Sequence, residues 1–241
     1  MSTDDQPVAF EAYEALASAY SAIAATKAEN GHMEHPAMRA QIGDVSGLKV
    51  LDAGCGPGFL LRYLLDQGAG EVVGFDISPA MINEARKRVG DKVALHVADM
   101  AKPLDFLPGR CCDLIVSSLA IDYIRDWSVP LAEFRRVLVK GGRLVFSVQH
   151  PTAAWEWYGP PTAYGVHLCK AVWKGFTENP VTVPDHYRSF AEMMNPLIAA
   201  GFRLNQIKDV EPAPELREID PRKYKKFSRE PSFMIIDAEV V

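Results

Sequence analysis

A glycine-rich turn near two acidic residues is the stretch of this sequence most clearly suited to chemistry. An apolar run contains Asp52, and glycines follow at positions 54, 56 and 58. Glycines let a backbone approach a ligand closely, and the free N–H groups of a following helix attract anionic or polar atoms. Asp76 ends the next apolar run, where a carboxylate can accept both hydroxyls of a ribose. Together these residues predict a site for an adenosine-containing cofactor.

Two residues distinguish between the cofactors that contain adenosine. A dinucleotide-binding turn of the form G-x-G-x-x-G/A needs a small residue at its sixth position, where this sequence has Phe59. Asp52 stands two residues before Gly54, and a carboxylate there suits an ammonium group better than a pyrophosphate. S-adenosylmethionine (SAM) carries an ammonium group on its methionine arm. The turn therefore favours SAM, with a nicotinamide-dependent oxidoreductase as an alternative.

Strand-like and helix-like stretches alternate along the chain that surrounds this turn. The alternation predicts an α/β fold with a Rossmann-like, seven-stranded, mostly parallel sheet and helices on both faces. Ser78 is expected to cap the helix that follows Asp76, and Gly141-Gly142 to end a later helix. Strands are expected at residues 48–53, 71–76, 93–98, 113–119, 143–148, 202–210 and 233–240. Helices are expected at residues 10–25, 58–67, 79–89, 128–139 and 187–200.

The chain, residues 1–241, is predicted to form one domain with two additions to the sheet and its helices. Residues 1–45 are expected to form an N-terminal helical cap. Residues 149–186 interrupt the alternation after the fifth strand, and long connections of this kind often serve as lids or substrate-binding insertions. Aromatic side chains in this insertion favour an apolar or aromatic substrate. They are Trp155, Trp157, Tyr158, Tyr164, Trp173 and Phe176.

Five stretches, in matching order, resemble the motifs of class I SAM-dependent methyltransferases. They are residues 50–58, 74–78, 98–100, 113–119 and 138–146, and the resemblance covers roughly residues 10–210. Residues 117–123 and 147–151 further resemble a bacterial subgroup of small-molecule methyltransferases of the type 11 kind. In that subgroup a histidine usually stands where this chain has Asp122, and a glutamate where it has Gln149.

The resemblance implies which residues bind SAM. Asp52 is expected near the methionine amino group, Asp76 on the ribose diol and Asp99 on the exocyclic amine of adenine. Met100 is expected to offer its backbone N–H to the adenine, and Tyr20 to close over the cofactor. The full set of expected cofactor-binding residues is Tyr20, Asp52, Gly54, Cys55, Gly56, Asp76, Ile77, Met81, Asp99, Met100, Ser117 and Ser118.

Residues that follow the fourth and fifth strands are the candidates for catalysis. In open α/β sheets, ligands bind beyond the carboxyl ends of the strands. Asp122 and Tyr123 follow the fourth strand, and His150 follows the fifth and has a pKa suited to proton transfer. His150 could instead fix the turn into the insertion, and Asp122 could be a helix cap. Residues 186–188 (His-Tyr-Arg) re-enter the domain after the insertion and are further candidates for substrate contacts.

Composition bears on the partners of the protein. A formal net charge of −5 disfavours nucleic acid, whose binding depends on clustered Lys and Arg. The four cysteines lack zinc-ligand spacing, so no metal is expected. No apolar run reaches the ~20 residues of a membrane span, and residues 1–6 lack the basic start of a secretory signal, which predicts a cytoplasmic protein.

The resulting functional hypothesis is methyl transfer from SAM to an oxygen, nitrogen or carbon nucleophile of a small molecule, with S-adenosylhomocysteine (SAH) as product. Two alternatives remain open. One is a nucleic-acid methyltransferase, although the segment after the fourth strand, Ser117-Ser118-Leu119-Ala120, lacks the Asn/Asp-Pro-Pro-aromatic pattern of base-methylating enzymes. The other is a protein that binds SAM or SAH without turnover.

Overall fold

The computed structural model describes residues 7–241, so residues 1–6 of the expected N-terminal cap lie outside the described residues. The helices of the described chain are α1 (Phe10–Ile23), α2 (His35–Ile42), α3 (Phe59–Asp66), α4 (Pro79–Val89), α5 (Ser128–Val137), α6 (Pro151–Tyr158), α7 (Phe190–Ala199), α8 (Leu216–Ile219) and α9 (Pro221–Phe227). The strands are β1 (Lys49–Ala53), β2 (Glu71–Asp76), β3 (Ala94–Val97), β4 (Cys112–Ser118), β5 (Leu138–Gln149), β6 (Val166–Trp173), β7 (Val181–Arg188), β8 (Phe202–Asp209) and β9 (Phe233–Val240).

Seven of these strands form one sheet in the order β3-β2-β1-β4-β5-β9-β8. Strands β1 to β5 run parallel to their neighbours, whereas β9 is antiparallel to both β5 and β8. Helices cover both faces, and a separate apolar core lies on each face of the sheet. The predicted seven-stranded, mostly parallel Rossmann-like fold is thus confirmed. Strand β4 is almost wholly buried because it lies at the centre of the sheet between two covered faces.

Two predicted helix boundaries are wrong. Helix α5 ends at Val137, and β5 begins at Leu138, which is extended and pairs with Cys112 of β4. Gly141 and Gly142 therefore lie within β5 instead of ending a helix. An added Cβ on Gly142 would lie 2.9 Å from the Val139 carbonyl oxygen, so close approach of the backbone explains this glycine.

The helix expected at residues 187–200 begins later than predicted. Tyr187 and Arg188 are the last residues of β7, where they pair with His167 and Val166 of β6, and α7 starts at Phe190. Burial of Arg188 fixes this end of the strand, because its guanidinium donates to the carbonyl oxygens of Ile124 and Arg125.

The insertion after the fifth strand has regular structure of its own. It consists of helix α6 and the antiparallel hairpin β6–β7. Near the hairpin tip, Trp173 and Phe176 pack against α1, with the Phe176 ring 5.3 Å from the Tyr20 ring. Trp155, Trp157 and Tyr164, by contrast, are exposed to solvent. Only part of the aromatic set therefore faces the rest of the domain. Within residues 7–241, no helix is long and apolar enough to cross a membrane.

Candidate active site

A cleft at the carboxyl ends of β1, β2 and β4 contains most of the expected cofactor-binding residues. It encloses about 1120 Å³ of space, including solvent at its open mouth. The structure brings eleven of the twelve residues to its wall: Tyr20, Asp52, Gly54, Cys55, Gly56, Asp76, Ile77, Met81, Asp99, Met100 and Ser118. Ser117 is fully buried beneath them, and its hydroxyl donates to the Ala53 carbonyl.

The glycine turn is shaped by close backbone contacts. Gly54 and Cys55 both donate their N–H groups to the Phe75 carbonyl oxygen, at 2.9 Å each, which joins the turn to the end of β2. Gly54 has a φ of +75°, and an added Cβ would lie 2.4 Å from the Ala120 Cβ. Gly56 has a φ of +51° but open space around its missing Cβ. The turn therefore needs Gly54 for packing and leaves room for a ligand at Gly56.

Asp76 joins the glycine turn to the start of α4. Its Oδ2 accepts the Gly56 N–H and its Oδ1 accepts the Ser78 N–H, both at 2.9 Å. Ser78 in turn caps α4 by accepting the Met81 N–H, which confirms the predicted cap. Burial raises the pKa of Asp76, and these backbone donors oppose the shift. Each carboxylate oxygen retains a free lone pair for a ligand hydroxyl.

Asp52 is the clearest sign that the cleft binds a cation. It is 1% exposed, and neither of its carboxylate oxygens has a hydrogen-bond partner in the part of the chain that the structure describes. Burial raises the pKa of Asp52 well above its ordinary value, and the nearby Asp76 and Glu34 carboxylates raise it further. A buried carboxylate without a partner is costly unless a ligand supplies one. The position is thus matched to an ammonium group.

Asp99 and Met100 form the far end of the cleft, beyond β3. The Asp99 Oδ1 accepts the Ala101 N–H at 2.9 Å, and its Oδ2 lies 3.4 Å from the Lys102 Nζ. Met100 is buried, and its Cε lies 3.4 Å from the position of a Cβ on Gly54. This end of the cleft has an apolar floor and a carboxylate at its edge, which suits a planar base.

Helix α2 and the residue before it contribute to the cleft side chains that the sequence did not single out. Glu34, His35, Met38 and Arg39 all line the cleft. Among the described residues of its wall, Arg39 is the only arginine or lysine. Burial lowers the pKa of His35 to about 4, so its ring is neutral at neutral pH. Nothing in the local sequence pattern identifies these residues, because only the fold brings them to the strand ends.

Aromatic side chains form the outer wall of the cleft. The hydroxyls of Tyr13 and Tyr123 share a hydrogen bond of 2.7 Å, and both residues line the cleft with Tyr20. Tyr20 stacks on Phe176, and Trp173 packs edge-on against Tyr13. Burial raises the pKa values of Tyr13 and Tyr123, so both hydroxyls stay protonated at neutral pH.

Asp122 lies in a second polar cluster. Within the described chain it is not part of the cleft wall, whereas its neighbour Tyr123 is. Its Oδ2 accepts the Gln149 N–H at 2.9 Å, and the Gln149 side-chain amide donates to the Tyr158 hydroxyl at 2.8 Å. Tyr158 donates to Asp185 at 2.7 Å. Burial and the neighbouring Asp185 carboxylate raise the pKa of Asp122 to about 8. The two residues that depart from the subgroup pattern, Asp122 and Gln149, therefore contact each other.

His150 also lies off the cleft wall in the described part of the chain. Its Nδ1 accepts the Thr152 N–H at 3.2 Å at the start of α6, and its Nε2 lies 3.4 Å from an Asp209 oxygen. Of the remaining substrate candidates, Arg188 binds the carbonyls of Ile124 and Arg125, and the Tyr187 hydroxyl donates to the Ala163 carbonyl. The His186 Nδ1 is buried and has no hydrogen-bond partner within residues 7–241. Roles in catalysis for these residues remain predictions.

Three comparisons with known proteins identify relatives of the chain. A family model described as a methyltransferase domain matches residues 51–146, which run from β1 into β5. Malonyl-[acyl-carrier protein] O-methyltransferase of Erwinia billingiae is 37% identical over 46% of this chain and 45% of the relative. Aklanonic acid methyltransferase DauC of a Streptomyces species is 36% identical over 43% of this chain and 49% of the relative. The chain thus spans about half the length of these two relatives.

A solved structure extends the similarity beyond the matched segment. An S-adenosylmethionine-dependent methyltransferase from Mesorhizobium loti superposes with a TM-score of 0.68 and 26% identity, over 86% of this chain and 97% of that one. The segment matched by the family model contains the glycine turn, Asp76 and Asp99, all of which line the cleft. Residues 51–146 match the methyltransferase domain family, and the chain has the fold and the motifs of the class I SAM-dependent methyltransferases.

Proposed function

We propose that the chain transfers a methyl group from SAM to a small-molecule acceptor. The observation that carries this proposal is Asp52, which lines the cleft and whose two buried oxygens have no hydrogen-bond partner among residues 7–241. A cationic cofactor would complete that site. SAM, when bound, supplies a methyl group on a sulfonium centre that is reactive toward oxygen, nitrogen or carbon nucleophiles.

Five features of the cleft would hold the cofactor. Asp52 faces its ammonium group, and Arg39 is the cleft cation available to its carboxylate. Gly56 leaves space for its sugar, and Asp76 has free lone pairs for the ribose hydroxyls. Asp99 and Met100, with Ile77 and Met81, enclose the adenine. Opposite charges on the wall thus match the two ends of an amino acid.

The acceptor would bind against the aromatic wall. Tyr13, Tyr20 and Tyr123 line the cleft, and aromatic faces favour flat or apolar molecules. The names of the two relatives described above refer to a malonyl group on a carrier protein and to aklanonic acid. These names support a small-molecule acceptor for this chain and leave its identity open.

Catalysis would depend on positioning more than on proton transfer. Alignment of a nucleophile with a reactive group can contribute several kcal/mol to a rate. The Tyr13–Tyr123 pair stays protonated, so it can orient an acceptor by hydrogen bonding but cannot remove its proton. The aromatic wall would also exclude water from the reacting atoms. An acceptor that enters already ionised, or that loses its proton late, fits this site.

A screen with methyl-labelled SAM tests the proposal. Small carboxylic acids, phenols and amines would be incubated with the protein, with a nucleic-acid mixture as the comparison. Label transferred to at least one small molecule, with none to nucleic acid, is the expected result. Transfer to nucleic acid alone would contradict the small-molecule assignment. SAM binding without transfer to any acceptor would favour a binding protein without turnover.

A further inference from the structure

A buried glutamate beside Asp52 has no role in the site as described so far. Glu34 is 0% exposed and lines the same cleft. Its Oε1 accepts hydrogen bonds from the hydroxyls of Ser118 and Ser147, at the ends of β4 and β5. Its Oε2 is buried and has no hydrogen-bond partner among the described residues. The His35 Nε2 lies 3.9 Å from Oε2, which is too far for a hydrogen bond.

The backbone around Glu34 is built to hold it in this position. Asn30–Glu34 forms a π-helical turn, a rare geometry that often occurs at functional sites. Gly31 permits this turn, because a Cβ there would lie 2.1 Å from the Ala25 carbonyl oxygen. The His32 carbonyl accepts the Ala213 N–H at 2.7 Å, which ties the turn to the segment before α8. The position of Glu34 is therefore fixed by its own π-helical turn and by the segment before α8 that this turn contacts.

The charges around Glu34 call for a cation. Burial raises the pKa of Glu34, and the Asp52 carboxylate shares the same cavity. Arg39 is near enough to favour the ionised form of Glu34 but makes no hydrogen bond to it, and His35 is neutral. Tyr20 is also close, and its hydroxyl stays protonated. Two buried carboxylates with three unpartnered oxygens would be stabilised by one bound ammonium group, which has three donors.

We infer that Glu34 is a second binding residue for the α-ammonium group of SAM, and that this group lies between the Glu34 and Asp52 carboxylates. The inference rests on the proposed function, since it needs SAM in the cleft. Ser118 and Ser147 are positioning residues, because they bind Oε1 and leave Oε2 for the ligand. Glu34 thus extends the cofactor site from the sheet to the N-terminal cap.

Calorimetric titration with three ligands tests the inference. SAM and SAH both carry the ammonium group, whereas 5′-methylthioadenosine has the same nucleoside without it. Glu34→Gln keeps the size of the side chain and removes its charge. Glu29→Gln is the matched control, because Glu29 pairs with Lys223 at 2.9 Å and lies outside the cleft wall of the described chain. Melting curves without ligand show whether each variant folds.

Glu34→Gln is expected to bind SAM and SAH at least about tenfold more weakly than wild type and to bind 5′-methylthioadenosine within about twofold of wild type. Glu29→Gln should bind all three like the wild type. Unchanged affinity of Glu34→Gln for SAM and SAH would overturn the inference, as would an equal loss for 5′-methylthioadenosine. A loss confined to SAM would also overturn it, because Glu34 would then face the sulfonium. Wild-type protein that binds none of the three would instead refute the proposed function.

A second measurement needs no variant. If an ammonium group binds between Glu34 and Asp52, it favours their ionised forms, so SAM binding at mildly acidic pH should release protons. Titration in two buffers with different ionisation enthalpies measures that release. Release with SAM and SAH but not with 5′-methylthioadenosine is expected. Equal release with all three ligands would contradict an ammonium site.

Discussion

Replacing Gly56 with alanine separates the cost of a strained backbone from the cost of a blocked ligand site. Gly56 has a φ of +51°, a conformation that costs an L-residue roughly 1–2 kcal/mol. Apart from Gly56 and its two neighbours in the chain, no atom of the described residues lies within 4 Å of the added Cβ, so the variant should fold without a clash. The expected stability loss is about 1 kcal/mol, which lowers the melting temperature by ~2–4 °C in a chain of this size.

Gly68→Ala is the matched control for this substitution. Gly68 has a φ of +80° and equally open space, but it lies between α3 and β2, at the amino ends of the strands. Both variants should therefore lose similar stability. Only Gly56→Ala places a methyl group inside the cleft, at the position that the sugar of the cofactor would occupy.

Calorimetric titration with SAM and SAH distinguishes the two variants. Gly56→Ala should bind both ligands at least about tenfold more weakly, a loss of ~1.4 kcal/mol, whereas Gly68→Ala should bind like the wild type. If Gly56→Ala binds SAM with wild-type affinity, the glycine turn does not cradle the cofactor, and the reasoning from its open space is refuted. Equal losses in both variants would trace the effect to general destabilisation.

Three further predictions concern single carboxylates, pH and the histidine. Asp76→Ala should weaken the binding of SAM, SAH and 5′-methylthioadenosine by at least about tenfold each, because all three ligands contain the ribose. Calorimetric titration measures the three affinities, and unchanged values would refute the assignment of Asp76 to the ribose. The affinity for SAM should rise from mildly acidic to neutral pH, because burial raises the pKa values of Asp52 and Glu34 and the ammonium group binds their ionised forms. Titration with SAM at several pH values checks this, and an affinity that falls with rising pH would contradict it. His150→Ala should lower stability by about 1 kcal/mol through loss of its cap on α6 while leaving kcat unchanged; a large fall in kcat with an unchanged melting temperature would restore the catalytic role.

Local patterns were sufficient to predict the sheet and most of the residues that line one part of the cleft. Apolar strands that alternate with helices force a parallel sheet, and the ends of β1 and β2 must then lie side by side. Gly54, Asp76 and Asp99 are therefore neighbours in space although they are distant in sequence. Each of these residues follows a recognisable apolar run. The order of the motifs along the chain was therefore enough to predict that these residues lie close together.

Residues whose position depends on distant contacts could not be predicted in this way. Glu34 meets Ser118 and Ser147, which are 84 and 113 residues away, and its own segment shows no distinctive pattern. A glycine within a helical stretch, Gly31, was the one available local signal. The boundary at Leu138 failed for a similar reason, since pairing with Cys112 overrides the helical preference of the segment. Tertiary contacts decided both cases.

Titration of the purified protein with SAM, SAH and NAD tests the central claim most directly. The unpartnered Asp52, the open space at Gly56 and the free lone pairs of Asp76 predict that SAM and SAH bind and that NAD does not. Binding of NAD without binding of SAM or SAH would contradict the account, because the same glycine turn would then be a dinucleotide site.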